Sequence, residues 1–314
     1  MISFGPIPSR RLGKSLGINN ITSPKICSYG CIYCQIGVTS GKRIDRDTFF
    51  EPEVIFEEVV KHIQLLSKDN YPDYLTFVSN GEPTLDVNLG RAIKLLKKIG
   101  IPIAVITNAS LLFNSQVRDD LHLADWVSLK VDAGDNDTWQ KVNHPALGLA
   151  FIKTVESLNL FAGEYKGTLC TETMLIDGIN DSVNNLTNVS ELIKRINPAK
   201  AYLAIPIRPP SEKSVNPADS EKLNMAWQIF NTINIKTEFL TGFEGTDTGF
   251  TGNIYDDILN ITAVHPLRHD SLIRLLHNDN ADIQVVKSLI KQRLIKSTIY
   301  DGHKYYIREY HLHI

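Results

Sequence analysis

The chain has 314 residues, 43% of them hydrophobic and 22% charged, with a formal net charge of −2. Those values exclude a disordered chain, a coiled coil and a collagen, and no run of about 18 apolar residues offers a membrane span. Near-neutral charge argues against a general nucleic-acid binder, and four cysteines are too few for a disulfide scaffold at this length.

The first twenty residues read as irregular, punctuated by Gly5, Pro6, Pro8, Gly13 and Gly17. They carry the basic residues Arg10, Arg11 and Lys14 but no apolar stretch of a secretory leader, so a cytoplasmic location is expected. A cysteine loop, 27–34, follows. Residues 53–66 then place apolar side chains at helical spacing behind Pro52. Strand-like runs at 74–78, 103–106, 126–131, 169–176, 201–205 and 236–240 alternate with helical patterns at 89–99, 150–161, 182–196 and 220–233. Short strands alternating with helices imply βαβ units and a parallel sheet. About six repeats are counted, which fits a laterally open partial barrel or a doubly wound sheet, and periodicity does not choose between them.

Composition shifts near residue 260, and six of the nine histidines lie beyond it. Residues 271–276 and 283–294 read as short helices. The runs 295–300 and 304–307 flank Asp301-Gly302, a strong hairpin signal. This predicts two domains, a core over 1–258 and a small winged-helix-like unit over 259–314. His311 and His313 alternate on a tail that reads as solvated.

Three of the four cysteines, Cys27, Cys31 and Cys34, lie in one short loop. Clustered thiolates make a soft-metal site. Structural zinc takes a closed set of four ligands, whereas the neighbourhood supplies three and Cys170 is far along the chain. A [4Fe–4S] cluster on three cysteines keeps one iron open to a substrate or cofactor. Structural zinc stands as the bland alternative.

At these residues the sequence resembles the radical S-adenosylmethionine (radical SAM) superfamily. The motif is Cys27-Ser28-Tyr29-Gly30-Cys31-Ile32-Tyr33-Cys34, with an aromatic residue before the last cysteine. The resemblance implies that Cys27, Cys31 and Cys34 hold a [4Fe–4S] cluster whose open iron is chelated by S-adenosylmethionine. One electron then cleaves the carbon–sulfur bond and yields a 5′-deoxyadenosyl radical. It also implies that Tyr33 packs on the adenine side. Ser79-Asn80-Gly81-Glu82-Pro83-Thr84 resembles the superfamily's "GGE" segment, with Asn80 in place of the first glycine, so Gly81 and Glu82 are expected at the cofactor's amino group. A plain turn with Glu82 in a helix's first turn is the alternative. Asn108, after the next strand, could reach the ribose or simply close a turn. Gly178, in Asp177-Gly178-Ile179-Asn180-Asp181, matches the strand-five segment beside adenine and ribose.

The segments from Phe4 to Gly13, Ser15-Leu16-Gly17, Asp132-Ala133 and Arg208-Pro209-Pro210 narrow the resemblance to the subgroup of the tRNA wyosine-base (4-demethylwyosine) synthase. That synthase carries a second cluster on three extra N-terminal cysteines, which this chain lacks. A relative with a different substrate is therefore expected.

Lys130 is the candidate catalytic residue. It could form a Schiff base with a carbonyl substrate, or pair with Asp132. Arg10, Arg11 and Arg208 are candidates for anion contacts, against the reading of a solvated basic face. His144, in Asn143-His144-Pro145, reads as a hydrogen-bonded surface or core residue rather than a catalyst. The leading function is a radical SAM oxidoreductase or transferase fed by a low-potential donor such as ferredoxin or flavodoxin. An RNA or peptide substrate docked by the C-terminal unit fits that reading. The alternative is an iron–sulfur redox regulator that binds DNA through the same unit, with Lys287, Lys291 and Arg293 as phosphate contacts.

Overall fold

The computed structural model describes residues 2–39 and 41–309; the tail with His311 and His313 lies outside them. Two strands precede the cysteine loop, β1 (Ser3–Ser9) and β2 (Gly13–Ile18), paired as an antiparallel hairpin. β2 runs parallel to β3 (Tyr74–Phe77). The sheet continues in parallel through β4 (Ile103–Thr107), β5 (Trp126–Lys130), β6 (Thr168–Met174), β7 (Lys200–Ala204) and β8 (Thr237–Leu240). Eight strands therefore lie in sequential order, curled as a partial barrel. The six strands expected from alternation are β3–β8.

The irregular reading of the first twenty residues is corrected by the hairpin. Pro6 and Pro8 sit on β1, the edge strand, where missing N–H donors cost no ladder bond. Gly17 sits on β2 because the Phe4 ring lies against it: a Cβ there would stand 2.1 Å from the ring. The residues that erase a strand signal in the sequence thus each have a place in the hairpin.

Helices α1 (Pro52–Leu65), α2 (Leu89–Leu96), α3 (Ser115–Leu121), α4 (Asn136–Asn143), α5 (Phe151–Glu164), α6 (Val183–Ile196) and α7 (Ser220–Asn231) connect the strands. α1 starts on Pro52 and buries Ile55, Val59 and His62, one stripe of the helix. α6 is capped by Ser182, whose hydroxyl accepts from the Asn185 N–H, and ends on Asn197 in the left-handed conformation. These helices cover the outer face of the sheet, where Leu75, Phe77, Val105, Val127, Leu129 and Leu203 form the main core. The inner face alternates with it and carries Ala104, Trp126, Cys170, Tyr202, Ala204 and Leu240.

The C-terminal segment adds α8 (Ile254–Val264), β9 (Leu267–Arg268), α9 (His269–Asn278), α10 (Gln284–Lys291), β10 (Ile295–Tyr300) and β11 (His303–Arg308). Its strands form a separate sheet in the order β10-β11-β9. The boundary expected after residue 258 falls inside α8. Phe4 and Ile7 of β1 belong to the same buried cluster as Ile258, Ile261, Leu272 and Leu289, so the N-terminal edge strand and this unit share one core. Polar latches add to it. Tyr300 and Tyr305 donate to the carbonyls of Pro206 and Ile207, each at 2.9 Å. His265 Nε2 donates to Glu244 Oε1 at 3.0 Å, and the same oxygen is bound by Arg208.

Two outcomes follow. Phe4→Ala should cost about 3–5 kcal/mol in denaturant unfolding, because a buried ring on the shared core is lost; a loss below about 1 kcal/mol would show that the ring holds nothing together. Glu244 is the second. Burial works against its charge, yet the His265 hydrogen bond and the Arg208 charge hold its carboxyl well below the usual range. A depressed folded value means stability is full above the unfolded value of about 4.3 and is lost as pH falls through the folded one. Glu244→Gln should therefore flatten the loss of stability below about pH 4.3, measured as melting temperature against pH; an unchanged acid limb would refute the latch.

Candidate active site at the cysteine loop

The cysteine loop is pinned at its start and in its middle by backbone hydrogen bonds. At its start, Ile26 forms a parallel bridge with Gly81. Ile26 N–H donates to Asn80 O at 3.2 Å, and Glu82 N–H donates to Ile26 O at 3.1 Å. Gly81 has a φ of +139°, and a Cβ there would stand 1.6 Å from Ile26 O. No other residue fits this approach. Asn80, which replaces the expected glycine, is buried and useful: its N–H donates to Asn19 Oδ1 at 2.8 Å and its Nδ2 to Ser23 Oγ at 3.2 Å. Its own Oδ1 is a buried oxygen with no partner.

The middle of the loop is strapped to the end of α4. Gly30 N–H is shared between the carbonyls of Asn143 and His144, and Ile32 N–H donates to Val142 O at 3.1 Å. His144 caps α4 in the left-handed conformation with its ring half exposed, so its role is in the backbone. Tyr29 is buried beneath the loop. Its hydroxyl accepts from Trp139 Nε1 at 3.0 Å, and the two rings meet edge to face at 5.9 Å.

Each cysteine sulfur faces an N–H donor. Cys34 accepts from Lys25 Nζ at 3.1 Å and Cys31 from Asn143 Nδ2 at 3.4 Å. Cys27 accepts from the Tyr29 N–H at 3.5 Å and lies 3.6 Å from Asn108 Nδ2. Burial pushes the Cys27 thiol up to about 12 and the Cys31 thiol to about 11. A bound cation would offset that burial and favour the thiolates. Among the described residues no three His, Cys, Asp or Glu side chains close on one point as the ligands of a single ion do.

The expected cofactor residues surround this loop. Glu82 is buried, and its carboxylate accepts four hydrogen bonds, three of them on one oxygen. Oε1 accepts from Thr84 N–H at 3.1 Å and from the Thr84 and Thr107 hydroxyls at 2.6 Å each; Oε2 accepts from Asn108 N–H at 2.8 Å. It ties the ends of β3 and β4 together, and burial raises its carboxyl against those four bonds. Asn108 Nδ2 donates to Ser28 Oγ at 2.9 Å, so Asn108 links Glu82 to the cysteine loop. Tyr33 donates to Asp132 Oδ2 at 2.5 Å, with Lys130 Nζ 4.9 Å from its ring centre. Gly178 stands apart in a left-handed turn closed by its own N–H on Asp181 Oδ2 at 3.1 Å. Its neighbours Ile176 and Ile179 pack near Ile32 and Tyr33.

Lys130 is held between two carboxylates, 3.0 Å from Glu172 and 3.4 Å from Asp132. Glu172 also pairs with Arg11 from the β1–β2 turn. Asp132 accepts from Tyr33, from Asn143 Nδ2 at 3.0 Å and from Met174 N–H at 2.8 Å. A chain of charges and hydrogen bonds thus runs from the barrel interior through Lys130 and Asp132 to Tyr33 and Asn143 beside Cys31. Sequence reasoning missed Lys25, Trp139 and Asn143. Their only signal is proximity in space, which a single sequence does not carry.

The radical SAM superfamily profile matches residues 21–187, more than half of the chain. The chain belongs to the radical SAM superfamily. It is 43% identical over 309 residues to a UPF0026 protein of Methanocaldococcus jannaschii, covering 98% of this chain and 96% of that protein. It is 36% identical to a UPF0026 protein of Helicobacter pylori, with 71% of each chain covered. Its fold is shared with TYW1 with a lysine–pyruvate adduct bound, at a TM-score of 0.54, 20% identity, and coverage of 69% of this chain and 73% of that one. Superfamily members are enzymes that use a [4Fe–4S] cluster and S-adenosylmethionine. The residues present fit that cluster: three cysteines of one short loop, each sulfur with an N–H donor of the kind that stabilises bound thiolate.

Gly81→Ala should break the bridge to Ile26 and with it the placement of Cys27. Anaerobic reconstitution of this variant should yield less than about half the wild-type iron, whereas Gly178→Ala, which meets open space but carries a strained φ, should keep its iron. Equal iron content in Gly81→Ala would show that the loop is positioned by other contacts.

Proposed function

We propose that this chain reductively cleaves S-adenosylmethionine at a cluster held by Cys27, Cys31 and Cys34 and uses the radical on a substrate bound inside the barrel. The observation that supports it most is the three-cysteine loop seated on Gly81 at the C-terminal ends of the parallel strands, where α/β sheets bind ligands. The cluster, once bound and reduced, supplies one electron to split the cofactor's carbon–sulfur bond. The electron comes from a low-potential donor such as ferredoxin or flavodoxin.

The chain's own residues supply position and field. Lys25, Asn143 and Asn108 donate to the sulfurs and favour their anionic form. Gly81 lets the Ile26 backbone close against it, and Asn80 Oδ1, which has no partner, and Glu82 Oε2, which accepts a single bond, are the candidate acceptors for the cofactor's ammonium. Asn108 and Gly178 line the side expected for the ribose, and Tyr33 the side for the adenine. Lys130 faces the barrel interior as a cation fixed by Glu172 and Asp132. In TYW1 a lysine–pyruvate adduct is bound. By analogy of fold Lys130 is the candidate to meet a carbonyl substrate, with Glu172 and Asp132 in reach of the proton it would have to lose.

For the C-terminal unit, the order α8-β9-α9-α10-β10-β11 supports the winged-helix reading, with its start moved to Ile254. Its latches to Pro206, Ile207 and Gln35 place it over the barrel mouth. A unit held against the barrel in this way supports a part in substrate recognition over regulation of DNA, for which no observation speaks.

Dithionite-reduced, anaerobically reconstituted protein should convert S-adenosylmethionine to methionine and 5′-deoxyadenosine, read by chromatography. Cys27→Ala, Cys31→Ala and Cys34→Ala should abolish the product and the cluster absorbance. Cys170→Ala, on the inner face of β6, should retain both. A fully loaded protein that makes no 5′-deoxyadenosine would refute the proposal.

A further inference from the structure

Three arginines approach a cavity of about 120 Å³ between the β1–β2 hairpin and the C-terminal unit. Two of them are neutralised. Arg11 pairs with Glu172, which with Lys130 and Asp132 makes a balanced set of two cations and two anions. Arg208 pairs with Glu244 and donates to Gln35 Oε1 at 2.8 Å. His265 shares Glu244, and burial followed by the Arg208 charge lowers its value, so it brings no further charge at neutral pH.

Arg10 is different. Its Nη1 donates to the carbonyls of Leu240 and Gly242, and those are its hydrogen bonds. Among the described residues no carboxylate lies within ion-pairing distance of it. Among the described residues Nε and Nη2 form no hydrogen bond, and that edge of a guanidinium is one a carboxylate takes with two parallel bonds. Burial, followed by the neighbouring Arg208, lowers its value only to about 10 against the opposing charge of Glu244, so it stays charged at neutral pH. Glu244 is matched by Arg208, so one net positive charge, fixed on Arg10, faces a cavity whose other walls include Phe4, Val78, Ile106 and Val264.

We propose that this cavity binds a monocarboxylate with a short apolar body, its head group on Arg10 and its body against Val78 and Ile106. One unmatched positive charge suits a monoanion. A phosphate dianion would leave a net negative charge in a half-apolar cavity, which is costly. The site lies one residue from the cysteine loop: Gln35, next to Cys34, lines the cavity and joins Arg208 to Val264 O. The inference names the substrate class for the radical reaction proposed above and rests on that reading.

The test uses the full-length, anaerobically reconstituted protein and saturation-transfer NMR with butyrate, acetate and inorganic phosphate as probes. Butyrate should bind more tightly than acetate, and phosphate should not displace it. Arg10→Gln should weaken butyrate by about tenfold or more. Because Arg10 also anchors the 240–242 carbonyls, Val78→Phe is the second variant. It fills the apolar wall without touching those bonds, and it should weaken butyrate similarly. Equal butyrate binding in all three proteins, or phosphate displacing butyrate at lower concentration, would overturn the proposal. 5′-Deoxyadenosine from the wild type is scored on the same sample. Arg10-dependent butyrate binding without that product would uphold the carboxylate site and refute the radical reading alone.

Discussion

The contact on which the site depends is the backbone bridge between Ile26 and Gly81. It joins a loop with no secondary structure of its own to the end of β3, using two hydrogen bonds and an approach that only glycine allows. From it the rest follows outward. Glu82, the next residue, gathers Thr84, Thr107 and the Asn108 N–H, and Asn108 turns back to Ser28 and Cys27. The loop is then held across to α4 through Gly30 and Ile32. The segment that carries the three thiols is thus tied to two separate elements of the fold.

Glu82 shows how a sequence motif and its physical role diverge. The motif suggests a carboxylate held out to a ligand. In the folded chain its oxygens already accept four hydrogen bonds from β3 and β4 ends. Its first task is to lock two strand ends in register beneath the loop. The buried oxygen without a partner is Oδ1 of Asn80, at the position where the motif has glycine. A departure from the pattern thus leaves a buried acceptor on the residue before Gly81.

The barrel interior is governed by charge balance. Buried ions are tolerated when matched and hydrogen-bonded, and Arg11, Glu172, Lys130 and Asp132 meet that condition, as do Arg208 and Glu244. Arg10 does not, and it is one that the C-terminal unit helps enclose through His265 and Val264. The apolar core that joins Phe4 and Ile7 to α8 and α9 makes that enclosure part of the fold. The unit therefore forms one wall of that cavity.

Much of this was legible in the sequence. Alternation of short apolar runs with helical stripes gave β3–β8 and most of the helices, because local periodicity is set by which face each residue buries. Three cysteines in one loop pointed to soft-metal chemistry, and the resemblance they carried to the radical SAM superfamily is matched by the family profile. The hairpin was not legible: its prolines and glycines weaken strand propensity, and they are explained only by an edge position and by the Phe4 ring over Gly17. Nor were the partners Lys25, Asn143 and Trp139, or the neutralisation of Arg11 and Arg208 but not Arg10. Sequence alone determined which chemical groups the chain brings and the loop that carries the thiols. Tertiary structure decided which charges are matched and which cavity they face, because pairing depends on distances between residues far apart in the chain, and those exist only once the sheet has curled.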